Sequence, residues 1–421
     1  MVGVQLFVIA GLISVVISLG PLRQLFCRLL SVPNQPALLG VIGMLILLDC
    51  LASDCSRYLF ARKAIEAGNV VNVLQTSLWA AAVFVLFLLW PAHLHLAAII
   101  TLWGVGLALA VGYGIWRSGP AELWRAPFRT SYYPVAVRFG LPIVLTASIL
   151  LANNLGRFIL AGRYASEVVG IFTFHHNLML MIAGMSSPLV ATPLDPYIIE
   201  AHNTGQRQRS GYLLAASLRY RVMVLMPLLI VATLWSGTLI RLMAKADYAA
   251  APHLLLWLAP VPLLMALSGA YERVLFLQRR TALIGRWYVA AAAVQLAAYV
   301  LCVPWHPYAG AALATDLGLA TLVVLLWLSS RQADIRVEVP WLRMGLAAIP
   351  CVVLTWILGR LWAGWPGLVS LGLVTLAAVA SYAVCCDLFG VVPEEERRAL
   401  FNLLRQGGST VRTVLAGGVS R

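Results

Sequence analysis

The sequence predicts an all-α polytopic membrane protein with about twelve transmembrane helices. Of the 421 residues, 61% are hydrophobic and only 11% are charged. A water-soluble protein with this composition could not cover its surface with polar groups. The chain also divides into apolar runs of about 20 residues, the length at which a helix crosses the hydrocarbon core of a bilayer.

Turn residues and charges separate the apolar runs and set the predicted order of helices. The joints include "VPNQP", "WPAHLH", "EAHNTGQRQRSG", "VPWHP", "RQADIRVEVP" and "AGWPG". The amino-terminal run has no basic segment before it and no small-residue cleavage site, so it is predicted to be a retained helix. The predicted helices span residues 4–20, 38–56, 73–90, 94–116, 139–157, 168–190, 212–236, 252–271, 286–304, 308–328, 344–362 and 366–389.

The positive charge of the chain predicts its orientation in the membrane. The sequence has 30 Lys and Arg against 16 Asp and Glu, a formal net charge of +14. Cytoplasmic loops of membrane proteins collect Lys and Arg. With both termini in the cytoplasm, most basic residues fall in cytoplasmic connections, including residues 57–69 and 117–138. The charge therefore predicts membrane topology, and no nucleic-acid partner is expected.

Motifs of catalysis and metal binding are absent from the sequence. There is no G-x-x-x-x-G-K-[ST], no G-x-S-x-G and no H-E-x-x-H. The seven cysteines form no C-x-x-C pair, and His175 and His176 have no second group of ligands nearby in sequence. The chain is therefore predicted not to be an enzyme, and no cofactor and no metal site are expected.

An ordered set of motifs between residues 136 and 330 resembles one family of transporters. The stretches are "VRFGLP", "GRFILAGRYASEVVGIF", "SSPLVATPLDP", "KADYAAAPHLLLWL" and "YAGAALATDLG". Together they are similar to Wzx-type polysaccharide flippases, which serve O-antigen and exopolysaccharide export, in the multidrug/oligosaccharidyl-lipid/polysaccharide exporter superfamily. The resemblance implies alternating-access flipping of undecaprenyl-pyrophosphate-linked oligosaccharide repeat units across the bacterial inner (cytoplasmic) membrane.

The same resemblance implies an arrangement in two lobes around a central cavity plus a carboxyl-terminal helix pair. Residues 1–125 would form a shortened amino-terminal lobe of about four helices, and residues 126–330 a lobe of about six. Residues 331–390 would add a transmembrane hairpin. Residues 391–421 are predicted from their own pattern to be a cytoplasmic amphipathic tail, because "VVPEEERRALFNLLRQ" has an apolar face of Leu400, Leu403 and Leu404; the alternative is a dangling tail. The expected partners are the lipid-linked glycan, membrane lipids and the polysaccharide polymerase or export machinery.

The candidate substrate residues lie near the end of one apolar helix, in "ILLANNLGRFILAGRYAS". Arg157 and Arg163 could bind pyrophosphate as planar two-pronged donors, and Asn153 and Asn154 could bind sugar hydroxyls. The alternative is that both arginines only reach to the membrane interface. Related flippases often carry an acidic residue directly before this arginine, whereas this chain has Gly156.

The candidate ion-coupling residues are carboxylates inside predicted helices. Asp49 and Asp316 have no cation nearby in sequence, and charges in a membrane usually face a cavity or a partner. Either could bind a proton or Na⁺, or could neutralise an arginine within the membrane. Asp54 is a third candidate, although its i,i+3 spacing to Arg57 also predicts a local ion pair.

Two other functions remain open from the sequence. One is a cation-coupled antiporter of drugs or small molecules in the same superfamily, for which a carboxylate would dominate the cavity. The other is a non-transporting membrane component of polysaccharide assembly, which would need no water-filled cavity. A flippase predicts arginines that face the cavity.

Overall fold

A computed structural model describes residues 36–90, 96–119, 133–244, 246–251, 253–332, 335, 337–362 and 367–398, together with Gly20 and Gln24. Throughout these ranges the chain forms helices and turns, and no strand. Eleven helical segments in the described part are long and apolar enough to cross a membrane. Each overlaps one predicted helix, so the all-helical polytopic fold is confirmed there. Residues 4–19 of the first predicted helix lie outside the described residues.

The chain divides into two compact units, residues 1–131 and 132–421. The described helices of the first unit are α1 (Pro36–Ala61), α2 (Ile65–Val73), α3 (Trp79–Leu89) and α4 (Leu96–Ser118). A π-helical turn, Leu74–Leu78, joins α2 to α3, so that the two form one continuous span.

Small residues allow the helices of the first unit to pack closely. A Cβ atom on Gly114 of α4 would lie 2.6 Å from the Cβ of Cys55 on α1, so only glycine fits this contact. Small interface residues allow membrane helices to approach each other in this way. Ala52, Leu59 and Val71 are buried in the apolar cluster between α1, α2 and α4.

The second unit contains the larger helix bundle. Its described helices are α5 (Tyr133–Val144), α6 (Ser148–Ala161), α7 (Ser166–Ser186), α8 (Thr192–Asn203), α9 (Arg207–Leu234), α10 (Ser236–Met243), α11 (Leu254–Leu258), α12 (Pro260–Leu277), α13 (Thr281–Cys302), α14 (Pro307–Ser330), α15 (Trp341–Leu361) and α16 (Gly367–Leu388).

Glycine, proline and polar side chains set several helix ends in this unit. Gly205 follows α8 with φ of +77°, a conformation that glycine adopts without steric cost. Pro307 is the first residue of α14, where its missing N–H costs nothing. The Nδ1 atom of His306 accepts a hydrogen bond from the backbone N–H of Ala309 at 3.2 Å and so caps that helix.

The hairpin of α15 and α16 packs against α9 and shares the apolar core of the second unit. Met344 and Ala347 of α15 and Val374 and Ala378 of α16 are buried in that core. The carboxyl-terminal helix pair is therefore part of the second unit and is not a detached element.

Several helices extend beyond their predicted ends. The helical segment predicted at 168–190 continues to Asn203, and the one predicted at 252–271 continues to Leu277. The predicted connection 57–69 shortens to residues 62–64 between α1 and α2. Hydropathy decreases where charges begin, but the helices continue past these points, and Asp195 and Arg273, which lie beyond two of the predicted ends, pair with each other.

The start of the predicted cytoplasmic tail docks onto α9. Residues 394–398 are helical, and the carboxylate of Glu396 accepts hydrogen bonds from Arg219, Tyr212 and Tyr220. The Arg219 residue is only 5% exposed, so this contact anchors the beginning of the tail to the bundle. Leu400, together with the rest of residues 399–421, lies outside the described residues.

Candidate substrate and ion sites

Arg157 is turned toward the neighbouring helix α7. Its Nη2 atom donates a hydrogen bond to Oδ1 of Asn177 at 2.9 Å and lies 3.3 Å from Nδ1 of His176. The Nε atom is buried and has no partner among the described residues. The guanidinium is therefore held by two uncharged side chains, and its buried Nε–H is left unused.

Gly156, directly before this arginine, makes room for an aromatic ring. A Cβ atom at this position would lie 2.4 Å from Cε2 of Tyr299 on α13. The hydroxyl of Tyr299 forms a hydrogen bond of 2.9 Å with Oγ1 of Thr315 on α14. The glycine thus allows α6 to approach α13, and a larger residue would force the buried ring to move.

The other predicted substrate residues lie in different surroundings. Asn153 is buried, and its Oδ1 atom accepts a hydrogen bond from Nε2 of Gln295 at 2.5 Å, which links α6 to α13. Asn154 is exposed on α6, and Arg163 is exposed in the turn after that helix. Within the second unit, the four side chains therefore do not converge on one point.

Asp316 on α14 has a carboxylate oxygen, Oδ1, that is buried and has no hydrogen-bond partner among the described residues. The Oε1 atom of Gln295 on α13 is also buried and also has no hydrogen-bond partner among the described residues. These two helices are in close contact, because a Cβ atom on Gly318 would lie 2.5 Å from the Cβ of Gln295. A buried oxygen without a partner is costly, and binding a proton or a cation would offset that cost.

In the first unit, the carboxylate of Asp49 accepts a hydrogen bond from an amide side chain. Nε2 of Gln75 donates to Oδ1 of Asp49 at 2.9 Å and also lies 3.0 Å from Oγ of Ser53. Asp54 pairs with Arg57 at 3.9 Å, which confirms the predicted i,i+3 contact. The Arg57 side chain is 80% exposed, and such surface pairs contribute little to stability.

A group of charged side chains that the sequence did not single out lies between α8, α9 and α12. Asp195 of α8 forms an ion pair with Arg273 of α12. Glu272 accepts a hydrogen bond from the hydroxyl of Tyr288 at 2.7 Å. Together with Arg221 of α9, these side chains line a cavity of about 210 Å³ within the second unit.

Arg221 is the member of this group whose charge is not paired with a carboxylate. Its described hydrogen bonds go to the carbonyl oxygen of Ala266 at 3.3 Å and to Oγ of Ser186 at 3.5 Å. A Cβ atom on Gly269 would lie 3.2 Å from its Nη1 atom, so glycine leaves the space that the guanidinium occupies. The cavity therefore holds two guanidiniums and two carboxylates, and Arg221 is the guanidinium without a direct ion pair in the described region.

Arg221 of this group, and Arg219 of the contact with Glu396, could have been found from the sequence. Arg219 and Arg221 stand inside a long apolar run, "SLRYRVMVLMPLL", and charges within membrane helices generally mark functional or paired sites. Asp195, Glu272 and Arg273 fell in predicted connections because the predicted helices ended before them. Nothing in the local sequence pairs Asp195 with Arg273, which are on different helices.

Comparison with known proteins gives a likeness of fold. No protein-family model matches the chain, and no curated protein matches it. Among solved structures, the chain is similar to the lipid II flippase MurJ in an inward closed conformation, with a TM-score of 0.58 and 13% sequence identity. The match covers 92% of this chain and 82% of that chain.

The fold therefore places the chain with multi-pass, all-helical membrane proteins. At 13% identity the likeness to MurJ is one of fold. It agrees with the eleven apolar spans in the described part of the chain.

Proposed function

We propose that this protein flips undecaprenyl-pyrophosphate-linked oligosaccharide repeat units across the bacterial inner membrane by alternating access, for export of a surface polysaccharide. The observation that carries the proposal is the likeness of 92% of the chain to the fold of a lipid II flippase. Lipid II is itself a lipid-linked glycan precursor. The polysaccharide-flippase motifs between residues 136 and 330 support the substrate class independently.

Arginines held by uncharged partners support a substrate with a pyrophosphate group. Arg157 bonds to an amide and an imidazole, and Arg221 bonds to a hydroxyl and a carbonyl. The present acceptors carry no charge, whereas each pyrophosphate oxygen shares a negative one, so a pyrophosphate could replace these partners with charge-assisted bonds in which both groups are ionised. A guanidinium also offers two parallel donors to a phosphate group, which an ammonium cannot do.

Asn154 would serve the sugar portion of the substrate, because it is exposed on α6 three residues before Arg157. Arg163 is exposed in the turn directly after α6. Asn153 is less suited to this role, because its amide oxygen is already bound to Gln295. We assign Asn153 to helix packing and retain the other three residues as the proposed substrate contacts.

Asp316 is the proposed coupling residue. Its buried oxygen without a partner would be stabilised by a proton or by Na⁺. Asp49 and Asp54 are weaker candidates, because the first is bonded to Gln75 and the second to Arg57. Binding at Asp316 during one half of the cycle would bias the exchange between inward-facing and outward-facing states.

The arginines also favour a flippase over an antiporter of cationic drugs. Arg157, whose described hydrogen bonds go only to uncharged side chains, would repel a cationic substrate and attract an anionic head group. We further propose that both termini are cytoplasmic and that a polysaccharide polymerase or export machinery uses the flipped product.

The proposal is tested by deleting the gene in its native host and measuring surface polysaccharide. Loss of the polymer, with lipid-linked repeat units accumulating inside the cell, is expected. Plasmid-borne wild-type protein should restore export. Normal polymer in the deletion strain, without another flippase gene to replace it, would contradict the proposal.

A further inference from the structure

A second polar cavity, of about 600 Å³, lies at one end of the second unit. It is lined by the end of α9, by α10, by the end of α15 and by the start of α16. Its described lining contains two arginines, Arg241 and Arg360, and no carboxylate. We call it the Arg241–Arg360 pocket. It is separate from the cavity that contains Arg221.

The position of the pocket in the bundle corresponds to a membrane surface. Each of α9, α15 and α16 is long and apolar enough to cross a bilayer. The last turns of α9 and α15 meet the first turn of α16 around the pocket, so these three spans reach the same surface together. Tryptophan concentrates at this depth, the level of the lipid head groups, and arginine side chains near helix ends extend to it.

The walls of the pocket are built from fixed side chains. The indole of Trp235 is 8% exposed, and its Nε1 atom donates to the carbonyl oxygen of Thr355 at 3.4 Å. A Cβ atom on Gly359 would lie 3.3 Å from that Nε1 atom, so the close approach depends on glycine. The guanidinium of Arg360 lies 5.3 Å from the ring centroid of Trp356, which restricts where the charge can be.

Apolar side chains continue from the pocket onto the outside of the hairpin. Leu361 is 68% exposed and Leu368 is 66% exposed, on the two helices whose ends form the rim. A ligand that matches these features has a negative phosphate group joined to long hydrocarbon chains.

We infer that the Arg241–Arg360 pocket binds the phosphate group of an anionic membrane phospholipid, with the acyl chains lying along α15 and α16. The two guanidiniums would bind the phosphate oxygens, and the lack of a carboxylate in the described lining leaves both charges available. This inference does not depend on the transported substrate, since a lipid bound here could stabilise a transporter of any kind.

The test measures lipid binding to the purified full-length protein in neutral detergent by native mass spectrometry. Phosphatidylglycerol is the probe, and phosphatidylcholine and free inorganic phosphate are compared with it. Phosphatidylglycerol should bind preferentially, and Arg241→Gln or Arg360→Gln should each weaken its binding by about tenfold or more, the value of one hydrogen bond to a charged group.

Two further variants separate a pocket from general surface charge. Gly237 lines the pocket, and a Cβ atom there has no contact closer than 3.9 Å. Gly237→Leu should therefore fill the space while keeping both arginines, and it should abolish the preference for phosphatidylglycerol. Arg331→Gln is the matched control, because this arginine also stacks on a tryptophan, Trp327, at 4.1 Å but lies outside the pocket. It should leave binding unchanged.

Three results would overturn the inference. The first is equal binding of phosphatidylglycerol and phosphatidylcholine. The second is an unchanged preference in Gly237→Leu, which would reduce the effect to surface electrostatics. The third is binding of free phosphate as tight as that of the lipid, which would remove the role of the acyl chains.

Discussion

Replacing Arg157 tests whether this residue contacts the substrate or only links two helices. In Arg157→Ala, Asn177 loses a hydrogen bond of 2.9 Å but is exposed and can bond to water instead. His176 is 1% exposed and loses its side-chain hydrogen bond. Leaving one such buried group without a hydrogen bond lowers the free energy of unfolding by about 1–3 kcal/mol, so the protein should still insert and accumulate.

Transport should suffer far more than folding if Arg157 binds pyrophosphate. A hydrogen bond to a charged group contributes about 1.5–3 kcal/mol. If this bond forms in the transition state of transport, its loss raises the free-energy barrier. Flipping then slows by about ten- to a hundredfold, since about 1.4 kcal/mol corresponds to tenfold. Arg157→Lys should recover only part of the rate, because it keeps the charge but loses the two-pronged geometry.

The assay is recovery of surface polysaccharide in the deletion strain, with protein amounts matched by immunoblot. Arg331→Ala serves as a control, because it removes an exposed arginine from the end of α14. Near-normal export by both Arg157→Ala and Arg157→Lys would refute the reasoning, and Arg157 would then be a residue that links α6 to α7.

Three stability predictions follow from contacts in the second unit, each measured as thermal unfolding in detergent. Gly156→Ala should destabilise the protein by about 1–3 kcal/mol, because the added methyl overlaps a buried tyrosine ring; an unchanged midpoint would contradict that packing. Arg273→Gln should lower the free energy of unfolding by about 3–5 kcal/mol, because it leaves Asp195 unpaired, and the double variant with Asp195→Asn should recover part of that loss. Equal losses in the single and the double variant would exclude the charge effect. Glu396→Gln should lower the midpoint and expose the tail to protease, whereas Glu395→Gln, at an exposed neighbour, should do neither; identical behaviour of the two would show that the tail is not anchored by this carboxylate.

The number and order of the membrane helices could be predicted because hydropathy alone determines them. An apolar run of about 20 residues has few stable alternatives to a membrane helix, since its backbone polar groups must be satisfied within the segment. The ends were less accurate. The helical segment that contains Asp195 continues to Asn203, beyond its prediction. Asp195 pairs there with Arg273 on another helix, and local hydropathy does not contain this information.

The candidate site was predictable only where partners are close in sequence. The contact of Asp54 with Arg57 followed from i,i+3 spacing and is confirmed. The partners of Arg157 and Asn153 lie 20 and 142 positions away, respectively. The need for glycine at position 156 could not be predicted from the sequence either, because the ring that requires it comes from Tyr299 on another helix.

The most direct test of the flippase proposal is a flipping measurement on the purified protein. The full-length chain would be reconstituted into vesicles containing a fluorescent undecaprenyl-pyrophosphate-linked oligosaccharide, and a membrane-impermeant quencher would report the fraction of head groups facing outward over time. Wild-type protein should move inner-leaflet label into the quenchable pool, and Arg157→Ala should do so more slowly. Quenching that stays equal to that of protein-free vesicles, with a proton or Na⁺ gradient applied in either direction, would contradict the proposal.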